Sequence, residues 1–219
     1  MDIASYIDHT ILKPTTKPDD IVRLCAEAKE YGFAAVCVPP YYVAAAINIL
    51  QGSGVHIATV IGFPFGYSTT AAKLAEISAA IDAGATELDV VHDLAALKSG
   101  DWQYLQQEIK ACTDLVHSHG CIIKVIIESG VLTDDEIMKC CEVYSAAGVD
   151  FMKTSTGYAE TGATIHAVQL MREHLPAEIA IKASGGIRTF AFAEELINAG
   201  ATRIGTSSGI AIVKESKEP

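Results

Sequence analysis

One short pattern recurs along the chain and limits what it can fold into. A helix-like stretch ends at a glycine, and a β-branched, apolar run follows within a few residues. Gly32 stands before the run 34–38, Gly54 before 56–61, Gly84 before 87–91, Gly120 before 121–127, Gly148 before 150–154, and Gly200 before 203–205. A glycine just past a helix takes the left-handed position that ends it, and a short loop then starts a strand. Two further runs complete the set: 178–183 after the helix stop Pro176, and 6–12 at the start of the chain. The runs are short and almost continuously apolar, as parallel strands covered on both faces are.

The stretches between them carry helical spacing. Residues 16–31 place Ile21, Leu24, Cys25 and Ala28 on one face, and 133–147 opens on Thr133-Asp134-Asp135-Glu136, a capping-box register. Residues 101–118 and 164–174 are amphipathic in the same way. Unbroken alternation of strand and helix predicts a parallel α/β fold, and eight units in a chain of 219 residues predict a compact TIM (β/α)8 barrel, one domain over 1–219. The alternative, a doubly wound sheet, wants a Gly-rich first turn, and Leu12-Lys13-Pro14-Thr15 is not one.

The formal net charge of -11 disfavours polyanions, so no nucleic acid and no anionic membrane are expected as partners. A small phosphate ester remains open, because it needs only a local cradle of N–H groups. No apolar run reaches membrane-spanning length, and Met1-Asp2-Ile3-Ala4-Ser5 lacks a signal-peptide plan, which points to the cytoplasm. The six cysteines show no Cys-x-x-Cys spacing and read as reduced thiols.

A barrel of this class carries its chemistry at the C-terminal ends of its strands. Polar residues expected there are Asp8 and Thr10, Asp89, Glu128, Lys153, Lys182, and the glycine-serine loops after strands seven and eight. Each lysine ends an apolar run. Alone, either could reach to water or pair with a carboxylate. Two neighbouring, partly desolvated cations are expected to depress each other's pKa, and a neutral amine is what Schiff-base chemistry needs. Asp89, flanked by apolar residues, is expected to pair with a lysine, to shuttle protons beside an amine, or both. Gly185-Gly186-Ile187-Arg188-Thr189 and Gly205-Thr206-Ser207-Ser208-Gly209 stand where barrels often hold phosphate. The residue types leave open which lysine attacks.

Metal chemistry is not expected, and no cofactor is called for. His117-Ser118-His119 sits at a helix end on the opposite face, and His92-Asp93 is a minor candidate. Cys37 is expected to pack rather than react. Two rivals remain open: a sugar-phosphate isomerase or epimerase using Asp89 as base, and a non-catalytic phosphate-ligand sensor.

Several blocks together resemble the deoxyribose-phosphate aldolase family. They are Ile7-Asp8-His9-Thr10 with Leu12-Lys13-Pro14, Val36-Cys37-Val38, Gly62-Phe63-Pro64 with Gly66, Glu87-Leu88-Asp89 with Ala96-Leu97-Lys98-Ser99-Gly100, Lys124 to Glu128, Lys153-Thr154-Ser155-Thr156-Gly157, Lys182-Ala183-Ser184-Gly185-Gly186-Ile187-Arg188-Thr189, and Gly205-Thr206-Ser207-Ser208. The resemblance implies a metal-independent class I aldolase of deoxyribose phosphate catabolism, splitting 2-deoxy-D-ribose 5-phosphate into acetaldehyde and D-glyceraldehyde 3-phosphate. It implies that Lys153 forms the Schiff base, Lys182 perturbs its pKa, and Asp89 moves protons through a water. Gly157, Gly185, Gly186, Gly205, Ser207 and Ser208 would hold the phosphate, and Asp8 and Thr10 would support the lysine pair or the substrate hydroxyls. Several family members are dimers, so a homodimer is implied, with no interface legible here. The chain departs from the family at Pro39-Pro40, at Val90 to Ala95, and in the loop Tyr158 to Gly162, where Glu160 is expected to face solvent.

Overall fold

The computed structural model describes residues 2–217. Eight parallel strands close into a barrel: β1 (Ile7–Thr10), β2 (Ala35–Val38), β3 (His56–Ile61), β4 (Glu87–Val91), β5 (Ile122–Ile126), β6 (Phe151–Lys153), β7 (Ala180–Ser184) and β8 (Arg203–Thr206). Every strand pairs with the next, and β8 closes on β1 with Asp8 opposite Gly205. The barrel reading of the sequence therefore holds.

The helices are α1 (Pro18–Tyr31), α2 (Val43–Leu50), α3 (Thr70–Asp82), α4 (Leu94–Lys98), α5 (Trp102–Ser118), α6 (Asp134–Ala147), α7 (Ile165–His174), α8 (Phe190–Asn198) and α9 (Gly209–Glu215). Four of them start one or two residues later than the spacing predicts. In each case the expected first residue, or the one after it, is a cap. Asp101, Thr133 and Thr164 each accept a hydrogen bond from a first-turn N–H, and Thr133 with Glu136 forms the anticipated capping box. Lys17 precedes Pro18, which stands in the first turn of α1.

β6 is also shorter than its apolar run. The Asp150 carboxylate accepts from the backbone N–H of Ile123 at 2.8 Å and meets His117 at 2.9 Å, so this residue serves as a side-chain brace at the strand's start.

Alternation along each strand sends one set of side chains outward to the helices and the other inward. The outward set, with residues such as Val36, Ile57, Leu88, Val90, Ile123, Val125, Met152 and Ile181, forms the main apolar core with the helix faces. Each such burial contributes about 1.5–3 kcal/mol. Inside the barrel the apolar side chains include Cys37, Ala58 and Val60, with Leu12 and Phe63 against them, and the buried Ala35, Val91 and Ile126 in the same phase. Between them the lumen is ionic. Among the described residues, no helix is long and apolar enough to cross a membrane.

Candidate active site

The inward positions of β1, β4, β5, β6, β7 and β8 bring together seven ionisable side chains from widely separated parts of the chain. Asp8, Glu87 and Asp89 supply three carboxylates; Lys124, Lys153, Lys182 and Arg203 supply four cations. Register places them in contact, with Asp89 opposite Lys124, Lys153 opposite Lys182, and Lys182 opposite Arg203. Lys124 bonds Glu87 at 2.6 Å and Asp89 Oδ1 at 2.8 Å. Arg203 bonds Asp8 Oδ1 at 2.6 Å and reaches both oxygens of Glu87 at 3.3–3.4 Å. Lys182 bridges Asp8 Oδ2 at 2.5 Å and Asp89 Oδ2 at 2.7 Å. Lys153 has one partner, the same Asp89 Oδ2, at 2.7 Å.

A buried cluster with one cation too many relieves the excess by losing a proton from its least compensated member. That member is Lys153. Burial disfavours its ammonium, Asp89 opposes this, and the neighbouring charge of Lys182 adds to it, leaving its pKa below the ordinary lysine range. Burial also acts on Lys182, but Asp8 and Asp89 outweigh it and raise its pKa. The expected mutual depression is thus corrected: one lysine falls and the other rises, because Lys182 has a second carboxylate. Burial works against the charged forms of Asp89 and Asp8 as well. Lys124, Lys153 and Lys182 hold Asp89 well below the carboxylate range, and Lys182, Lys124 and Arg203 do the same for Asp8.

The sequence places Asp89 and Lys182 at strand ends, and the structure sets them deeper. Asp89 is central in β4, and β7 runs on past Lys182 to Ser184, whose N–H donates to the Thr154 hydroxyl oxygen at 3.0 Å. Lys153 does end β6, and it borders an open cleft of about 1040 Å³ at the C-terminal face. Gly157, Gly185, Gly186, Gly205, Ser207 and Ser208 border the same cleft. Gly185 and Gly186 have φ of 90° and 79°, a backbone that L side chains rarely adopt. Gly205 has a different constraint. A Cβ there would lie 2.3 Å from Ser184 Oγ and 3.0 Å from Lys182 Cε, so bare backbone is what lets Lys182 pass. The Ser208 N–H is already given to Thr206 Oγ1 at 2.9 Å. Thr10 reaches the cleft, but its hydroxyl donates to the Asp8 carbonyl at 2.8 Å.

Sequence reasoning passed over Glu87, Lys124 and Arg203 as site residues. The signal in the sequence was weak: each is a charge within a strand run, and the run alone does not say which face turns inward. It also passed over Arg188 and Lys214 as cations on the cleft rim.

His92 and Asp93 are engaged elsewhere. His92 is buried with Nδ1 at 2.7 Å from the Tyr144 hydroxyl, and Asp93 caps α4 through the N–H groups of Ala95 and Ala96. Burial and the charge of Lys73 push the His92 pKa down to about 3. Cys37 is buried in the lumen, and burial with Asp89 nearby raises its thiol pKa, which suits packing. Glu160 is exposed.

Comparison with known proteins adds an independent line. Residues 3–215 match the model of the DeoC/LacD family aldolases. A deoxyribose-phosphate aldolase of Thermococcus gammatolerans is 48% identical over 99% of this chain and 97% of its own length. One from Caldanaerobacter subterraneus is 46% identical over 100% of this chain and 95% of its own length. The solved structure of the tetrameric deoxyribose phosphate aldolase from Aeropyrum pernix superposes with a TM-score of 0.92 at 34% identity, covering 99% of this chain and 91% of that one. By full-length match and by fold, the chain belongs to the DeoC/LacD family of aldolases.

Proposed function

We propose that the chain is a Schiff-base aldolase that splits 2-deoxy-D-ribose 5-phosphate reversibly into acetaldehyde and D-glyceraldehyde 3-phosphate, with Lys153 as the nucleophile. The observation that carries the reading is the surplus cation: Lys153 shares its one carboxylate oxygen with a better-paired lysine and borders the cleft.

The neutral Lys153 Nζ attacks C1 of the open-chain aldehyde, and loss of water leaves a protonated imine. Two carbons leave as acetaldehyde, so the bond that breaks is C2–C3; a C3–C4 break would release a three-carbon fragment. The C3 hydroxyl gives up its proton as its oxygen becomes the carbonyl of glyceraldehyde 3-phosphate. The electron pair of C2–C3 moves into the imine and forms an enamine. Protonation at C2 and hydrolysis then release acetaldehyde and the free amine. Asp89 and Lys182, with a water, are the groups placed to relay these protons, and Asp8 holds Lys182 charged. Gly157, Gly185, Gly186, Gly205, Ser207 and Ser208, with Thr10 beside them, are proposed to seat the substrate, and the rim cations Arg188 and Lys214 complement a phosphate dianion.

Three cationic donors on Asp89 make it a poor lone base, which weakens the isomerase reading. Borohydride reduction with acetaldehyde present, followed by peptide mapping, tests the assignment. A reduced adduct on the Lys153 peptide is expected; an adduct elsewhere, or none, overturns it. Turnover of deoxyribose 5-phosphate separates an enzyme from a phosphate sensor.

We read residues 1–219 as one domain, in the cytoplasm, where six unpaired thiols stay reduced. The tetrameric relative supports self-association, at least as a dimer. Light scattering showing a monomer would remove that part.

A further inference from the structure

Glu128 stands two residues past the end of β5 and, among the described residues, is the one non-glycine residue in left-handed backbone, with φ 52° and ψ 55°. An L side chain there is crowded against its own main chain, and such a conformation persists where neighbouring contacts fix it. The contacts are specific. Glu128 is buried, and its carboxylate accepts the Thr156 N–H at 3.2 Å and the Thr156 hydroxyl. The next residue, Ser129, donates its N–H to the Thr154 carbonyl at 2.7 Å. The end of β5 is thereby sewn to the end of β6 at two consecutive residues.

The connection continues across the cleft. A threonine hydroxyl has a single hydrogen. With that hydrogen given to Glu128, its lone pairs accept the Tyr158 N–H at 3.0 Å. The Tyr158 hydroxyl donates to the Leu12 carbonyl at 2.7 Å, beyond the end of β1, and its ring stands edge-on to Phe63 at 5.4 Å. Between Thr156 and Tyr158 lies Gly157, with φ 86°; a Cβ there would come to 3.9 Å from the Gly185 Cα. Gly157 therefore packs at van der Waals range against Gly185 on the border of the cleft, and the bonded chain from Glu128 to Leu12 fixes where this pair of backbones sits. Thr156, Gly157 and Tyr158 border the cleft, whereas Glu128 stands behind them. A free carboxylate near a phosphate would repel it. Here both Thr156 donors occupy the carboxylate and turn it from the cleft.

We propose that Glu128 is a positioning residue for the substrate's phosphate: through Thr156 it holds the 156–158 turn against Gly185, where both backbones border the phosphate seat, and so sets preference for phosphorylated over unphosphorylated aldehydes. This rests on the phosphate seat assigned under the proposed function, and deepens it.

Two variants test the role. Glu128→Gly keeps the left-handed turn without crowding and removes the carboxylate; Glu128→Gln keeps an acceptor oxygen for Thr156. Orthophosphate binding is measured by titration calorimetry, and kcat/KM is compared for deoxyribose 5-phosphate and deoxyribose. In Glu128→Gly, orthophosphate binding and the KM for the phosphorylated sugar are expected to worsen about 10-fold or more, with kcat/KM for deoxyribose within about 3-fold of wild type. Glu128→Gln is expected to restore both to within about 3-fold. Equal losses on both sugars, unchanged orthophosphate binding in Glu128→Gly, or a wild-type protein that does not bind orthophosphate overturns the inference. The calorimetry needs no turnover. A wild type that binds orthophosphate but does not cleave deoxyribose 5-phosphate would instead overturn the substrate reading.

Discussion

Lys153 and Lys182 donate to a single oxygen, Oδ2 of Asp89, each at 2.7 Å. One carboxylate oxygen does not neutralise two ammonium groups. Lys182 has Asp8 as well, so the burden of the shared oxygen falls on Lys153. The difference between two chemically identical side chains is thus a difference in partners.

Replacing Lys153 by methionine removes the unmatched cation. Activity is expected to fall more than about 1000-fold, and the folded state is expected to gain stability, because the remaining cations and carboxylates balance. The gain depends on pH. The folded pKa of Lys153 lies below its unfolded value, so between the two the unfolded chain binds more protons and wild-type stability rises with pH. The stability difference between Lys153→Met and wild type should therefore shrink from pH 7 toward about 10. Urea unfolding at several pH values reads this; a constant difference would contradict it.

Lys182→Met has the opposite electrostatic effect. Asp89 Oδ2 then serves Lys153 alone, and Lys153 holds its proton at neutral pH. Activity near pH 7.5 is expected to drop about 100-fold or more and to recover partly in alkali, seen as an upward shift of the acid limb of the rate profile. Removing one partner from buried carboxylates also costs about 3–5 kcal/mol of stability. A uniformly lowered profile with no shift of the limb would show that Lys182 does not tune Lys153.

Gly205→Ala tests a steric requirement. The added methyl meets Ser184 Oγ at 2.3 Å and Lys182 Cε at 3.0 Å, so Ser184 must shift and the lysine chain must give by a few tenths of an ångström. A displacement of that order is expected to cost about 10-fold in kcat. Near-normal turnover would mean that the lumen yields more easily than its packing suggests.

The pair His92 and Tyr144 lies outside the reaction and governs acid stability. His92 is neutral in the fold, with a pKa of about 3 against an ordinary 6.5, so the stability it confers is complete above pH 6.5 and is lost as pH falls toward 3. Asp8 and Asp89, with pKa values held down, lose theirs only below the ordinary carboxylate range. The double substitution His92→Leu with Tyr144→Phe should flatten the stability slope between pH 6.5 and 4 and leave turnover unchanged. Tyr144→Phe alone leaves a buried imidazole nitrogen without its partner and should cost about 1–3 kcal/mol. An unaltered slope in the double variant would assign it to other groups.

The barrel was legible because its punctuation is local. Gly32, Gly120 and Gly148 mark helix ends, and Thr133 with Glu136 marks a beginning, all within a few residues of the elements they define. The lumen was not legible in the same way. Asp8 meets Arg203 across 195 positions and Lys182 across 174, and an unbroken apolar run such as that around Lys124 does not say which face turns inward. Residue types brought Lys153, Lys182 and Asp89 to notice. The count of charges that separates the two lysines needed Glu87, Lys124 and Arg203, which only register brings in.

The ionic lumen also bears on how such a chain can change over generations. Each charge there answers another on a different strand. Apart from Lys153, the surplus cation, a lone substitution strands its counterpart, while a matched exchange of two at once does not. Drift among the paired charges therefore proceeds by coupled replacement, and the walls of the barrel can be rewritten long before its axis.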